Sequence, residues 1–317
     1  MAFELDIIHW LQDMRSPMID FFFEFWTFFG EEYIIIGVLG MLYWCYDKRV
    51  GEAIGITVFA SLAVNSFLKV LIARPRPFLV DDDIVNIRPE TSGGYSFPSG
   101  HTQGAGTLFL SIAAWLKKRW ITIISVIIVV MVAISRMYIG VHYLSDVLTS
   151  ILLSFGFAYG GYYLLNKKDF LKKYRYWIIA LFSIILLGSY AFFLFTSNDL
   201  TSIDSELLHG NVNDLAKMVA SILGFILGIT LERSRIHFKN HRHFWKNAIR
   251  LILGFVVVVS IRVLLKLFFS IFVSFEEFSE LSKTEATWVI VFDFIRYFAM
   301  VYVAIGVYPM VFKKISI

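Results

Sequence analysis

One short stretch, Ser135-Arg136-Met137-Tyr138-Ile139-Gly140-Val141-His142-Tyr143-Leu144-Ser145-Asp146, concentrates reactive side chains at the junction of two strongly apolar runs. His142 and Asp146 stand four apart, so a helix puts them one turn apart on one face. A carboxylate there accepts the proton of one imidazole nitrogen and leaves the other bare, as a nucleophile or general base requires. Arg136, just before the turn at Gly140, offers a planar donor fork suited to a phosphate. Taken alone, such a His–Asp pair also serves as a structural hydrogen bond.

Two more stretches change its weight: Lys69 followed by Arg76-Pro77, and Pro98-Ser99-Gly100-His101. Pro98 suits a helix start and leaves the amides of Ser99, Gly100 and His101 free to face an anion. Ser99 is expected both to cap that helix and to donate to a phosphate. Lys69 could instead snorkel to headgroups, and Arg76, between two prolines, could be a solvated loop residue. Two histidines near one anion site divide the work. One attacks phosphorus and the other gives the leaving oxygen a proton. His142, with a carboxylate partner, is the better nucleophile, and His101 the acid.

In this order, the three clusters resemble the three-part signature of the type 2 phosphatidic acid phosphatase superfamily, every position present, over roughly residues 31–166. The resemblance implies an integral membrane phosphatase that works through a phosphohistidine on His142, with no metal or other cofactor. Its substrate would be a lipid phosphate or pyrophosphate of the undecaprenyl pyrophosphate, phosphatidylglycerol phosphate or phosphatidic acid type. It also implies that Lys69, Arg76, Ser99, Gly100 and Arg136 hold the phosphate oxygens. No carboxylate cluster flanks these residues; Asp81-Asp82-Asp83 reads as a solvated acidic turn. Two other readings stay open: a phosphatase of a soluble ester such as a sugar phosphate, and a non-catalytic anion or lipid transporter on the same scaffold.

Positioning these residues falls to membrane helices. The chain has 317 residues, 58% hydrophobic and only 17% charged, against about 25% charged in soluble domains, and a mean hydropathy of +0.69. An all-α polytopic bundle follows. Residues 1–30 read as an amphipathic interfacial segment, an extra span being the alternative. Nine spans are expected from residue 31 on: five in a phosphatase core, 31–166, and four in an extension, 167–317. That layout resembles the glucose-6-phosphatase branch. Basic residues in the loops divide 17 against 6, the larger set including Lys48, Lys117, Lys168, Arg233 and Lys313 and the smaller set including Arg76, Arg136 and Lys283. The positive-inside rule then puts all three clusters on the outer face, in what is expected to be a bacterial cytoplasmic membrane. The expected partners are membrane lipids and the lipid substrate, with no nucleic acid. The single cysteine, Cys45, rules out an intrachain disulfide.

The extension has charges of its own. Arg262 and Lys266 lie in the eighth expected span, Asp293 and Arg296 in the ninth, at similar depth. Charges inside a membrane face the bundle interior or a wet cavity. A Lys266–Asp293 ion pair is the structural reading. Substrate binding is the functional one, and the excess positive charge suits an anionic ligand.

Overall fold

The computed structural model describes residues 2–167, 170–196, 202–273 and 281–314. Lys168 and the side chains of Lys283 and Lys313 lie outside that description. Among the described residues every regular element is helical. The N-terminal helices are α1 (Ala2–Gln12) and α2 (Pro17–Thr27), and α3 (Glu32–Gly40) runs into a π-helical turn, Met41–Tyr46. The core continues with α4 (Lys48–Ile72), α5 (Gly100–Leu116), α6 (Arg119–Tyr138) and α7 (Leu144–Leu165). Beyond it come α8 (Phe170–Thr196), α9 (Ser202–Leu231), α10 (Phe244–Phe269), α11 (Lys283–Tyr302) and α12 (Pro309–Lys314).

Local signals set the ends that matter. Asp47 caps α4 by accepting from the Arg49 and Val50 amides at 2.8 and 3.2 Å. The 25 residues of α4 reach about 38 Å at 1.5 Å per residue, enough to cross a hydrocarbon core of about 30 Å. The helix stops where Ala73 turns left-handed, two residues before Pro75. The chain then crosses one end of the bundle and re-enters at Ser99, the cap of α5.

Among the described residues, seven helical segments are long and apolar enough to span a membrane. Pro17–Gly30 and Glu32–Tyr46, bent by 49°, make an eighth if they count as one span. The nine-span layout is therefore not reproduced. The difference lies partly in α5, which at 17 residues is shorter than the helices counted; it buries Thr102, Gln103, Thr107 and Ser111 inside the protein. Gln103 accepts from Asn65 at 2.8 Å and donates to the Ser61 carbonyl at 2.9 Å, so α5 is hydrogen-bonded to α4.

α5 lies among α4, α6 and α7, while α9 packs on α4 from the other side and carries α11. α4 is thus the wall shared by core and extension. Gly55 lets the Phe225 ring approach it; a Cβ there would lie 2.3 Å from the ring. Gly224 admits α11 in the same way and Gly228 the π-helical turn Val303–Val307 that follows it, whereas Gly156 and Gly160 face open space. The N-terminal segment packs against the core. Phe23 of α2 stacks on Tyr138 at 4.3 Å, and Asp20 accepts from the Tyr138 hydroxyl at 2.5 Å. Phe21, Phe22, Phe25 and Phe28 keep an exposed apolar face.

Candidate active site

The turn between α6 and α7 sets the centre of the site. Gly140 has φ +82°, and a Cβ on it would lie 2.5 Å from the Val85 carbonyl oxygen, so this turn requires glycine. Two residues later His142 points inward, almost fully buried. Asp146 sits in the first turn of α7, where its Oδ2 accepts from the Tyr143 amide at 2.9 Å and from the Ser96 hydroxyl. The same oxygen lies 3.4 Å from His142 Nδ1. With the Nδ1 proton turned toward Asp146, the Nε2 lone pair faces away from it, 3.4 Å from Arg76 Nη1. His142 lies in the loop outside the spanning helices. Burial, then the Arg76 and Lys69 cations, push its pKa well below the ordinary histidine value and keep the ring neutral.

Backbone carbonyls hold the cations. Arg76 donates to Gly94, Gly93 and Val141 at 2.8, 2.7 and 3.0 Å. Lys69 donates to the Tyr95 and Ser96 carbonyls. Carbonyl ligands orient a cation without neutralising it, so both keep charge for an anion. Arg136 donates to Thr27 Oγ1 at 3.0 Å and to the Thr91 carbonyl at 3.2 Å, and its Nε is buried with no partner.

A cavity of about 390 Å³ is lined by Lys69, Arg76, Gly100, His101 and His142. Arg136, Ser99 and Asp146 stand behind that lining. The Ser99 hydroxyl is occupied as the helix cap, accepting from the Thr102 amide at 3.4 Å and donating to Thr102 Oγ1 at 3.0 Å. Gly100 leaves room; a Cβ there would meet nothing nearer than Asn65 Oδ1 at 3.6 Å. His101 is fixed by a close approach that its own stretch does not announce. A Cβ on Gly30 would come within 2.8 Å of the His101 carbonyl oxygen and Cβ.

Sequence reasoning missed the support for Asp146. Arg74 donates to Asp146 Oδ1 at 2.9 Å and to Ser145 Oγ at 2.6 Å, and lies 3.7 Å over the Tyr143 ring. Its other nitrogen reaches Glu4 of α1 at 2.7 Å, and Glu4 also accepts from the Ser145 amide at 2.8 Å. Burial raises the pKa of Glu4, but the hydrogen bonds from Ser145 and Arg74 outweigh it and hold the carboxyl below its usual range. The first helix thus braces the His–Asp pair. The only hint in the sequence was an acidic residue early in an otherwise apolar segment.

The charges of the extension fall differently from expectation. Arg262 lines the same cavity, 3.3 Å from Glu32 of α3. Asp293 pairs with Arg296 at 2.7 Å and accepts from Asn213 at 3.0 Å. The cation of α9 that approaches Asp293 is Lys217, at 3.7 Å, which also holds Asp214 at 3.0 Å. Lys266 is a correction: it stands exposed in the last turn of α10 and forms no pair with Asp293. A lysine so near a helix end can carry its ammonium to the membrane surface. Lys217 could have been found by the same intramembrane-charge reasoning, since it sits with Asp214 in an apolar run.

Both halves of the chain are similar to known proteins. Residues 52–170 match the PAP2 superfamily, and residues 216–317 match a PAP2 superfamily phosphatase, transmembrane extension. Phosphatidylglycerophosphatase B of Bacillus subtilis is 34% identical over 152 residues, which are 45% of this chain and 67% of that protein. The chain belongs to the PAP2 superfamily. Lipid A 4'-phosphatase of Bacteroides thetaiotaomicron is 26% identical over 183 residues, covering 51% of this chain and 81% of the relative. Undecaprenyl-diphosphatase of Sulfolobus acidocaldarius is 31% identical over 130 residues, 39% of this chain and 60% of the relative. As a PAP2 protein the chain is a phosphatase of the membrane. All three alignments cover about half of it or less.

Proposed function

We propose that this PAP2 phosphatase hydrolyses a lipid phosphate or pyrophosphate at the outer face of the membrane through a phosphohistidine on His142. One observation carries the reading. A neutral His142, its Nδ1 turned toward Asp146 and its Nε2 beside Arg76, shares a cavity with His101, Lys69 and the start of α5. The phosphate oxygens would meet Lys69, Arg76, the Gly100 region of the α5 N-terminus and, from behind, Arg136. Nε2 attacks phosphorus and the P–O bond to the leaving group breaks. His101 gives its proton to the leaving oxygen. A phosphate dianion among these cations favours the protonated form of His101. Water then attacks the phosphohistidine, passes a proton to His101 and releases phosphate. Asp146 holds the imidazole and offsets the positive charge that develops on it.

The relatives supply the substrate class: one is named for lipid A, one for an undecaprenyl diphosphate, one for phosphatidylglycerophosphate. Phosphate release by purified protein from lipid and soluble substrates, with and without EDTA, tests the reading. Release from lipids that survives EDTA and is blocked by vanadate is expected; a strict magnesium requirement would overturn the metal-free step. For the outward face, cysteines at Glu90 and Lys118 are the probes, in a Cys45→Ala background. Both sites are exposed, at opposite ends of the core. In intact cells an impermeant maleimide should label only the first; the reverse pattern overturns the orientation.

A further inference from the structure

The cavity that holds His142 and His101 continues into the extension. Its far wall comes from α3, α9, α10 and α11, with Glu32, Asp214, Lys217, Arg262 and Tyr297 on it. The two poles differ in charge. The catalytic pole presents Lys69 and Arg76, held by carbonyls, with Arg136 behind them. The far pole is balanced: the two cations Lys217 and Arg262 face the two carboxylates Asp214 and Glu32. The excess positive charge expected from the sequence is therefore absent at this wall, because Lys266 is outside the cluster while Glu32 and Asp214 are in it.

A balanced pole does not suit a second anion, which Glu32 and Asp214 would repel. It does hold open hydrogen-bonding groups of both kinds. Glu32 Oε1, an acceptor, is buried without a hydrogen-bond partner, and Arg262 Nη1, a donor, lies 3.3 Å from Glu32 Oε2 as an ion pair without forming a hydrogen bond. Tyr297 reaches Glu32 Oε2 only at 3.5 Å. A hydroxyl is donor and acceptor at once, so it can donate to Glu32 Oε1 while accepting from Arg262, where a phosphate dianion could only accept. At about 390 Å³ the cavity is near the lower end of ligand-site volumes, about 300–1,000 Å³. It has room for a phosphate and a compact body but not for long chains.

We propose that the extension, together with Glu32 of α3, forms a second subsite that binds a hydroxyl-bearing, hexose-like body attached to the scissile phosphate, through Glu32, Arg262, Lys217 and Tyr297. The inference rests on the phosphatase reading above and narrows its substrate class. A glycolipid head and a free polyol phosphate present the same chemistry here, so the test has an arm for each.

The test compares kcat/KM for phosphate release from three substrates: a glycolipid whose phosphate sits on a hexose, glucose 6-phosphate, and phosphatidic acid, whose phosphate sits directly on diacylglycerol. The wild type should prefer at least one hexose-borne phosphate over phosphatidic acid; which hexose substrate is turned over tells lipid head from free ester. Arg262→Gln should shrink that preference about tenfold or more, as for a lost hydrogen bond to a charged group. Tyr297→Phe, a gentler change, should shrink it about threefold, as for a neutral one. Thermal melting checks that each variant folds. Equal losses on all substrates, an unchanged preference in the folded variants, or a wild type that prefers phosphatidic acid would overturn the subsite. Release from no substrate would instead sink the phosphatase reading. In that case titrating the hexose and diacylglycerol phosphates onto wild type and Arg262→Gln decides the subsite, which requires tighter hexose binding that the substitution removes.

Discussion

The two halves of the cavity are assembled in different ways. In the core, Lys69 and Arg76 lie seven residues apart, Gly100 and His101 are adjacent, and His142 and Asp146 stand one turn apart. Each pair falls where a helix ends or begins, so loops and caps can present both members together. At the far pole, Glu32 of α3 and Asp214, Lys217, Arg262 and Tyr297 of the extension come from four helices, and only Asp214 and Lys217 are close in sequence. The core holds its cations with carbonyls and keeps a surplus of positive charge. The extension pairs its cations with carboxylates and keeps none. The first arrangement suits transition-state charge, which catalysis must bind more strongly than the ground state. The second suits the neutral parts of a ligand. Substitutions in the core should therefore fall on kcat, and those in the extension on discrimination between substrates.

The largest effect should come from the core. His142→Ala removes the attacking nitrogen and should lower kcat roughly 10³-fold or more while the protein still folds, in line with loss of a nucleophile elsewhere. Asp146→Asn should be severely impaired but not silent, because it disturbs orientation and not attack. Phosphate-release kinetics beside a melting curve check both, and near-wild-type turnover of His142→Ala would erase the distinction between the halves.

A smaller effect sharpens the boundary of the core. Glu4 touches neither cavity nor histidine, yet it holds Arg74 and the Ser145 amide, and Arg74 holds Asp146. Glu4→Gln should lower kcat about tenfold with little change in KM, as expected when a group acts only on the transition-state geometry. Glu4→Asp should recover part of the loss. A change confined to thermal stability would make α1 a packing element only.

The smallest effect concerns pH. Burial and the neighbouring cations lower the pKa of His142, so its neutral, nucleophilic form persists below the ordinary value of about 6.5. Since kcat/KM reports the free enzyme, the acid limb set by His142 should lie below about pH 6.5. An acid limb at or above that value would mean that the cations of the core do not act on His142 as described.

What was legible in the sequence follows the same division. The core residues stand out because polar clusters at short spacing are rare in so apolar a chain, and the helix starts at Ser99 and Leu144 are marked by their own caps. The support around them was not legible. Gly30 and Glu4 act through contacts with residues 71 and 141 positions away, and no local pattern encodes such a distance. In the extension, depth alone could not tell Lys266 from Lys217. The four-residue spacing linked Lys266 to Arg262, but its place in the last turn of α10 lets it leave the bundle, while Lys217 is held by Asp214. The span count is lower than expected at α5, a short helix whose polar residues are buried against its neighbours.

The central claim is that phosphorus passes through His142. The most direct measurement is mass spectrometry of the protein quenched during turnover of a phosphate substrate and kept at alkaline pH, where a phosphohistidine is stable. The account predicts a phosphoryl group on His142, lost on acidification and absent in His142→Ala. A phosphoryl group on another residue, or turnover with no phosphorylated enzyme and inversion at phosphorus, would contradict it.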